Sequence, residues 1–283
     1  MRTRRIGDTT VSAIGLGGMP MSIEGRPDEA RSVATIQVAL DAGITLIDTA
    51  DAYHVHANEV GHNELLIAKA LAGYGGDTSS VLIATKGGHL RPGDGSWTVD
   101  GSPEYLRKAC DASLARLGVD AIGLYQFHRP DPNVPYAESV GALAELLDAG
   151  KIRMAGVSNA DPEQIKLANE VLGGRLVSVQ NQFSPRFRTS EPELELCDQL
   201  GIAFLPWSPL GGISRAGDLG TVFAEIADAH GASPQRVCLA WLLARSPMVV
   251  PIPGSSRPET IRDSAAAAEL ELTEDELARL NSA

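Results

Sequence analysis

The sequence predicts an α/β fold, a closed parallel (β/α)8 barrel of the TIM type with a short N-terminal hairpin. Three observations predict this fold. After the hairpin, short apolar runs alternate with longer helical patterns, and no segment carries strands alone. Glycine follows several of the helical patterns, as a left-handed helix end favours. The first apolar run also lacks the G-x-G-x-x-G turn that a doubly wound sheet normally carries.

The predicted elements follow one another regularly along the chain. A hairpin over residues 5–11 comes first. The first four strand and helix pairs are predicted at 13–18 and 27–42, 45–49 and 63–72, 81–85 and 103–117, and 122–127 and 136–149. The other pairs are predicted at 152–157 and 162–172, 176–179 and 191–200, 203–207 with a helical hairpin over 221–245, and 249–252 and 258–268. The apolar runs have strand length and the other segments have helix length.

Residues that begin and end helices mark the same boundaries. Helical patterns are followed by Gly43, Gly118, Gly150, Gly173 and Gly201. The predicted N-caps are Asn63, Ser102, Asp161 and Ser233, and proline follows the last three. A doubly wound sheet is the alternative fold, but Pro20 would break the helix that must follow its first strand.

Domain organisation is predicted to be simple, because no linker divides the chain. We therefore expect one domain over residues 1–283. The least patterned segments, 87–101 and 209–220, both follow predicted strands. In a barrel such segments lie at the catalytic end, which indicates functional loops.

The composition restricts the class of protein. The net charge of −12 and the pI of about 4.9 argue against nucleic-acid binding but allow a local basic pocket for a phosphate. No apolar core follows the arginines at positions 2, 4 and 5, and no apolar run could span a bilayer. We expect a soluble cytoplasmic protein without a membrane partner, with a monomer as the default.

Cysteines and histidines give no pattern typical of a disulfide framework or a metal site. The cysteines, Cys110, Cys197 and Cys238, are odd in number and lack C-x-x-C spacing, which favours a reducing compartment. A histidine group at positions 54, 56 and 62, with glutamates at 59 and 64, is the candidate metal site. Its spacing matches no zinc motif, and we expect no metal.

Polar side chains collect at the ends of the predicted strands, where a barrel carries its chemistry. Asp48 and Tyr53 follow the second strand, Lys86 follows the third and His128 follows the fourth. An ammonium group near a phenol favours ionisation of the phenol and lowers its pKa, and a carboxylate can hold the ammonium. A histidine beside the phenol can orient a substrate oxygen. This combination suits protonation of a carbonyl oxygen while hydride reaches its carbon.

Six motifs make the chain resemble the aldo-keto reductase family. They begin with Leu46-Ile47-Asp48-Thr49-Ala50-Asp51-Ala52-Tyr53, Ala84-Thr85-Lys86 and Leu124-Tyr125-Gln126-Phe127-His128. They continue with Gly156-Val157-Ser158-Asn159, Trp207-Ser208-Pro209-Leu210-Gly211-Gly212 and Ile252-Pro253-Gly254. Each motif alone is weak, but their order on eight strands is a strong signal, and the resemblance runs from about residue 6 to residue 280.

The resemblance implies a barrel that binds NADP in an extended form and reduces aldehydes and ketones. It implies that Tyr53 is the general acid, that Asp48 and Lys86 tune it, and that His128 positions the carbonyl. The cofactor-binding residues it implies are Ser158, Asn159 and Gln180 at the carboxamide, Trp207 on the ring, and Ser208, Leu210 and Gly211 along the pyrophosphate. Taken alone, Asp48 with Lys86 could equally be a buried structural ion pair, and Tyr53 and His128 are each more typical of packing and of a hydrogen-bonded core.

The sequence departs from the family at the pocket for the 2′-phosphate. Gly254 and Thr260 stand where many members have lysine and arginine. Arg257, with Ser255 and Ser256, can still bind a phosphate at the start of the last helix. Asp263 and Ser264 stand in place of the acidic residue and asparagine that the family has near the adenine. NADP is therefore favoured, with NAD as the alternative.

The substrate is predicted less sharply than the reaction. Substrate-binding residues are expected at Met19, His54 and Trp97, with His56 and Arg129 nearby. Apolar surface from Trp97 and Met19 suits an aromatic or medium-sized carbonyl compound, such as pyridoxal. Two alternatives stay open: a cofactor-binding regulatory subunit without turnover, and the same fold working as an alcohol or sugar dehydrogenase.

Overall fold

A computed structural model describes residues 1–212 and 219–283 of the chain. Residues 213–218, which belong to the loop predicted over 209–220, lie outside the described residues. The strands are β1 (Thr3–Ile6), β2 (Thr9–Ser12), β3 (Leu16–Gly17), β4 (Leu46–Asp48), β5 (Leu82–Gly87), β6 (His89–Leu90), β7 (Thr98–Val99), β8 (Ile122–Phe127), β9 (Ile152–Ser158), β10 (Leu176–Gln180) and β11 (Ala203–Phe204). The helices are α1 (Glu29–Asp41), α2 (His62–Ala72), α3 (Pro103–Leu117), α4 (Tyr136–Asp148), α5 (Pro162–Val171), α6 (Glu191–Leu200), α7 (Thr221–His230), α8 (Pro234–Arg245), α9 (Pro258–Ala266) and α10 (Glu274–Asn281).

One parallel sheet holds β3, β4, β5, β8, β9, β10 and β11 side by side in chain order. Residues 249–254 join its two edges. Val250 N donates to the Phe204 carbonyl of β11 at 2.9 Å, and Gly17 N of β3 donates to the Pro253 carbonyl at 2.9 Å. The sheet is therefore closed, and the predicted (β/α)8 barrel is confirmed.

The eighth strand is less regular than the prediction over 249–252. Residues 249–254 contact their neighbours through single bridges, Phe204 with Val249 and Gly17 with Gly254. Pro251 and Pro253 have no N–H to donate, so a continuous ladder cannot form. The seventh strand ends at Phe204 instead of residue 207, shortly before Pro206.

The N-terminal hairpin covers the amino-terminal end of the barrel. Ile6 and Val11 are buried, and Gly7 approaches the side chains of Val177 and Met154 near the beginnings of β10 and β9. With the two hairpin side chains, the interior cluster contains Leu46, Leu82, Ala84, Leu124, Met154, Ala203, Leu205, Val250 and Ile252. The apolar filling leaves the opposite, carboxyl end of the strands for polar side chains.

Three of the four predicted N-caps are confirmed. Ser102, Asp161 and Ser233 each accept a hydrogen bond from the backbone N–H three residues further on. The prediction for Asn63 is wrong, because α2 begins at His62 after Gly61.

Asn63 is buried and uses its side chain for tertiary contacts instead of capping. Its Nδ2 donates to the Gly18 carbonyl at 2.8 Å and to Ser22 Oγ at 2.7 Å, and its Oδ1 accepts from Thr49 Oγ1 at 2.7 Å. This side chain therefore joins the turn after β3 to the loop that follows β4.

Two features of the fold have no counterpart among the predicted elements. Within the segment 87–101, β6 and β7 form a small antiparallel hairpin that pairs His89 with Val99. The helix α10 begins at a capping box in which Thr273 and Glu276 bond each other's backbone N–H groups.

None of the helices in the described ranges is both long and apolar enough to cross a membrane.

Candidate active site

A buried lysine joins the second and third barrel strands at their carboxyl ends. Asp48 ends β4, and Lys86 lies on β5 beside it. Lys86 Nζ donates to Asp48 Oδ1 at 2.6 Å, to the Thr49 carbonyl at 2.8 Å and to Tyr53 Oη at 3.1 Å. All three N–H bonds of the ammonium are used, so the site is built around a charged lysine.

Asp48 is held from a second direction by the sixth barrel strand. Gln180 ends β10, and its Nε2 donates to Asp48 Oδ2 at 2.8 Å across the barrel. Asp48 is 3% exposed and Lys86 is 0% exposed. Buried charges of this kind are tolerated only when paired and hydrogen bonded, as both are here.

Burial and the neighbouring opposite charge shift the pKa of Lys86, and likewise that of Tyr53, in opposite directions. Burial alone would lower the pKa of Lys86, but the Asp48 carboxylate and the Tyr53 oxygen raise it above its usual value. Burial raises the pKa of Tyr53, and the Lys86 ammonium opposes that shift. The expected effect of lysine on the phenol is present, but burial outweighs it, so Tyr53 keeps its proton at neutral pH.

His128 lies beside the phenol. It follows β8, and its backbone is fixed by bonds from His128 N to the Gly87 carbonyl and from Asn159 Nδ2 to the His128 carbonyl. Its ring centroid is 5.8 Å from that of Tyr53, with the two rings at 83°. Burial, with the nearby Lys86 charge, holds the pKa of His128 well below its ordinary value. Its Nδ1 is buried and has no partner among the described residues.

His89 extends this group of rings toward solvent, and the sequence motifs do not include it. Its ring lies 4.9 Å from His128 at 80° and stacks on Trp97 at 4.6 Å. Burial lowers the pKa of His89 to about 4, so it is neutral. The signal that could have found it is its position three residues after Lys86, inside a segment with weak helical and strand patterns.

The three residues predicted at the carboxamide lie together on the next strands. Ser158 Oγ donates to the Gln180 carbonyl at 2.7 Å, and Asn159 Nδ2 lies 3.0 Å from Ser158 Oγ. Asn159 adopts a left-handed backbone with φ of 57°. Asparagine tolerates this conformation better than most residues, which lets the chain turn sharply at the end of β9.

The residues predicted along the ring and pyrophosphate form the turn after β11. Trp207 is half-buried, and its Nε1 is a buried donor that has no partner among the described residues. Ser208 adopts a φ of 48°, and Gly211 N donates back to the Ser208 carbonyl at 2.9 Å. Leu210 is buried beneath this turn.

The predicted phosphate residues are placed at the start of α9. Ser255 N donates to the Gly17 carbonyl at 3.4 Å, which attaches this segment to β3. The Arg257 side chain is 57% exposed, and its one ion pair in the described chain is with Glu259 at 3.7 Å. Asp263 has other partners: it accepts from Ser233 and from both Nε and Nη2 of Arg236 on α8.

The predicted substrate residues differ in their surroundings. Met19 is half-buried in a 3₁₀ turn after β3, and Trp97 is 39% exposed in the loop between β6 and β7. His54 is buried, its Nδ1 lies 2.8 Å from the His56 carbonyl, and its own carbonyl accepts from Arg91.

The residues of the candidate metal site make separate contacts. His62 Nδ1 pairs with Ser22 Oγ, and Glu59 pairs with Arg26.

A nicotinamide cofactor fits the donors at this end of the barrel. Trp207 Nε1 and His128 Nδ1 are buried and have no partner among the described residues. They follow strands of the same sheet as Ser158, and the exposed Arg257 precedes α9. A closed barrel with a charged lysine, a protonated phenol and a neutral histidine at its mouth defines a class of NAD(P)H-dependent oxidoreductases.

Comparisons with known proteins agree with that class. The family model described as Aldo/keto reductase family matches residues 13–283. An uncharacterized oxidoreductase of Schizosaccharomyces pombe is 36% identical over 99% of this chain and 89% of its own. The 6-dehydroglucose reductase of Novosphingobium aromaticivorans is 37% identical over 91% of this chain and 86% of its own. The chain belongs to the aldo/keto reductase family.

Among solved structures, an aldo/keto reductase from Klebsiella pneumoniae in complex with NADP and acetate has a TM-score of 0.82 and 29% identity. The similarity covers 99% of this chain and 94% of that one. The fold is therefore that of an enzyme family whose members use nicotinamide cofactors for carbonyl chemistry.

Proposed function

We propose that the protein reduces aldehydes and ketones to alcohols with NADPH, and that Tyr53 donates the proton. The observation that carries the proposal is the contact chain from Gln180 through Asp48 and Lys86 to the Tyr53 phenol. A bound cofactor supplies the hydride that reaches the carbonyl carbon. Tyr53 gives its proton to the carbonyl oxygen, and Lys86 stabilises the phenolate that results until solvent returns a proton.

His128 has a different role in the same proposal. A neutral ring beside the phenol can bond the carbonyl oxygen and hold it against Tyr53 Oη without competing for the proton. Its low pKa and the position of its ring beside Tyr53 support this assignment. Because Lys86 is the charged group, a second cation at His128 would be unfavourable.

The proposed substrate is a small carbonyl compound carrying an aromatic ring, such as an aromatic aldehyde or pyridoxal. The exposed Trp97 on the β6–β7 hairpin supports an apolar surface at the mouth of the barrel.

Reduction of a sugar carbonyl, or the reverse oxidation of an alcohol, is the second candidate function. The free imidazole nitrogens of His89 favour it, since they have no hydrogen bond with the described residues and can bond a substrate hydroxyl. The name of the Novosphingobium relative also supports it.

The test is consumption of NADPH with 4-nitrobenzaldehyde, pyridoxal and a 6-dehydro sugar as three carbonyl donors. We expect turnover with at least one of them and faster turnover with the aromatic compounds. Tight NADPH binding without turnover on any carbonyl compound would instead favour a regulatory subunit.

Cofactor choice gives a separate prediction. Replacing Arg257 with alanine is expected to raise KM for NADPH by about tenfold and leave KM for NADH nearly unchanged, because a charge-assisted bond to a 2′-phosphate is lost. Steady-state kinetics with both cofactors measures this. The matched control is Arg262→Ala, since Arg262 is an exposed arginine on the same helix. Equal KM changes for both cofactors would contradict a 2′-phosphate contact.

We also propose that residues 1–283 act as a single-domain, cytoplasmic monomer without nucleic-acid partners. The net charge of −12 supports this, because a negatively charged protein repels nucleic acids.

A further inference from the structure

Asp51 is a buried carboxyl group that the proposed reaction does not use. It lies two residues before Tyr53 and is 2% exposed. Its N–H donates to the Lys86 carbonyl at 3.4 Å, and its carbonyl accepts from Gly61 N at 2.7 Å. Residue 51 therefore attaches the turn carrying Tyr53 both to β5 and to the start of α2.

The side chain of Asp51 has few partners for a buried acid, namely the Tyr105 hydroxyl and the backbone N–H of Ala52. Oδ2 accepts from the Tyr105 hydroxyl at 3.3 Å. Oδ1 is buried and has no partner in the described parts of the chain. A carboxylate in this position would have no ion pair among the described residues, and such a buried charge is much costlier than a neutral carboxylic acid.

The neighbouring charges make ionisation harder still. Glu64 on α2 is fully buried and binds both Arg116 Nε and the Thr85 hydroxyl at 2.6 Å. The guanidinium that faces Asp51 is therefore already committed to another carboxylate. The groups around Asp51 are Glu64 from α2, Tyr105 and Arg116 from α3, Tyr125 from β8, and Tyr53 on its own loop, with Asp100 beyond Tyr105.

We infer that Asp51 is a neutral carboxylic acid at pH 7 and is a positioning residue that fixes the turn bearing Tyr53. Of the two buried carboxyl groups, Glu64 holds the Arg116 guanidinium, and Asp51, which has fewer hydrogen bonds, keeps its proton. The direction of the pKa agrees: burial, and then the Glu64 charge, raise the pKa of Asp51 to about 8. Ionisation above that pH introduces a negative charge close to the proton donor.

The consequence for stability has a defined sign. An unfolded aspartate has a pKa of about 3.9, so between about pH 4 and about pH 8 the native state binds one proton more than the unfolded state. This group therefore makes the free energy of unfolding fall as the pH rises through that range. Above about pH 8 its contribution stays constant. An asparagine at position 51 keeps the shape of the neutral acid and removes the dependence.

The first experiment follows unfolding by denaturant from pH 5 to pH 9 in the wild type, Asp51→Asn and Asp120→Asn. Asp120 is exposed, so its variant controls for the lost charge. The quantity compared is the free energy of unfolding of each variant minus that of the wild type. For Asp51→Asn we expect this difference to increase steadily up to pH 8 and then to level off. For Asp120→Asn we expect it to be independent of pH. Parallel curves for Asp51→Asn and the wild type would overturn the inference.

The second experiment measures kcat as a function of pH. It rests on the proposed function, whereas the unfolding experiment does not. We expect kcat of the wild type to decline as Asp51 ionises near pH 8, and we expect Asp51→Asn to keep kcat within about twofold at pH 7 and to lack that decline. Asp51→Ala should lower kcat about tenfold with little change in cofactor affinity, because the turn is displaced. A folded Asp51→Asn variant with a tenfold loss at pH 7 would show that the anion is required.

A measurement on the wild type covers the case in which Asp51→Asn does not fold. The carboxyl carbon of Asp51 can be followed by NMR in protein carrying ¹³C-labelled aspartate. A titration near pH 8 supports the neutral acid, and a titration near the ordinary aspartate value contradicts it.

Discussion

Replacing Tyr53 with phenylalanine is expected to lower kcat by about two to four orders of magnitude while NADPH still binds. The change removes one oxygen, and that oxygen is the group that Lys86 contacts at 3.1 Å. Without it, the developing negative charge on the carbonyl oxygen has no proton donor beside it. Steady-state turnover and a fluorescence titration with NADPH measure the two quantities separately.

The matched control for this variant is Tyr74→Phe. Tyr74 is a half-buried tyrosine at the end of α2 whose hydroxyl donates to Asp41 at 2.7 Å, so the same chemical change occurs outside the proposed site. Its kcat should stay within about twofold of the wild type, as for a surface substitution. Near-normal turnover of Tyr53→Phe would remove the phenol from the proposed reaction.

Replacing Lys86 with methionine is expected to lower both activity and stability. The substitution leaves the buried Asp48 without its cation, and loss of one partner of a buried pair costs about 3–5 kcal/mol of folding free energy. Turnover should fall by at least about 10²-fold, since the phenolate loses its counter-ion. Denaturant unfolding and kcat are the measurements.

A second substitution separates the two effects. In the double variant Lys86→Met with Asp48→Asn, no buried charge is left unpaired, so most of the stability should return while turnover stays low. The control is Lys69→Met, which breaks an exposed ion pair with Glu29 and should cost less than about 1 kcal/mol. If Lys86→Met were as stable as the wild type, the buried pair would not have the energetic role described.

The sequence is most informative where a strand ends in a polar residue. Asp48, Lys86 and His128 can be grouped into one site from the sequence alone, because parallel strands in a barrel end at the same face. Their hydrogen bonds are harder to predict from the sequence. The bond from Gln180 to Asp48 crosses the barrel and depends on the register of β10. Sequence spacing does not encode such a distance.

Other residues escape prediction because their environment depends on packing between elements. Asn63 has the chemistry of an N-cap, yet contacts with Gly18, Ser22 and Thr49 determine its position. Asp51 has the sequence context of an ordinary loop residue, and its burial follows from α2 and α3 covering it. Two prolines signal the irregular eighth strand, but the hydrogen bonds that still close the barrel cannot be inferred from them.

The seam formed by residues 249–254 has a kinetic consequence. It joins β3, near the beginning of the chain, to a segment near its end. Pro251 and Pro253 lack an N–H group, which reduces the number of hydrogen bonds that stabilise the closed barrel. Contacts between distant parts of a chain form late, because loop-closure entropy must be overcome first. We therefore expect the contacts of this seam to form late in folding.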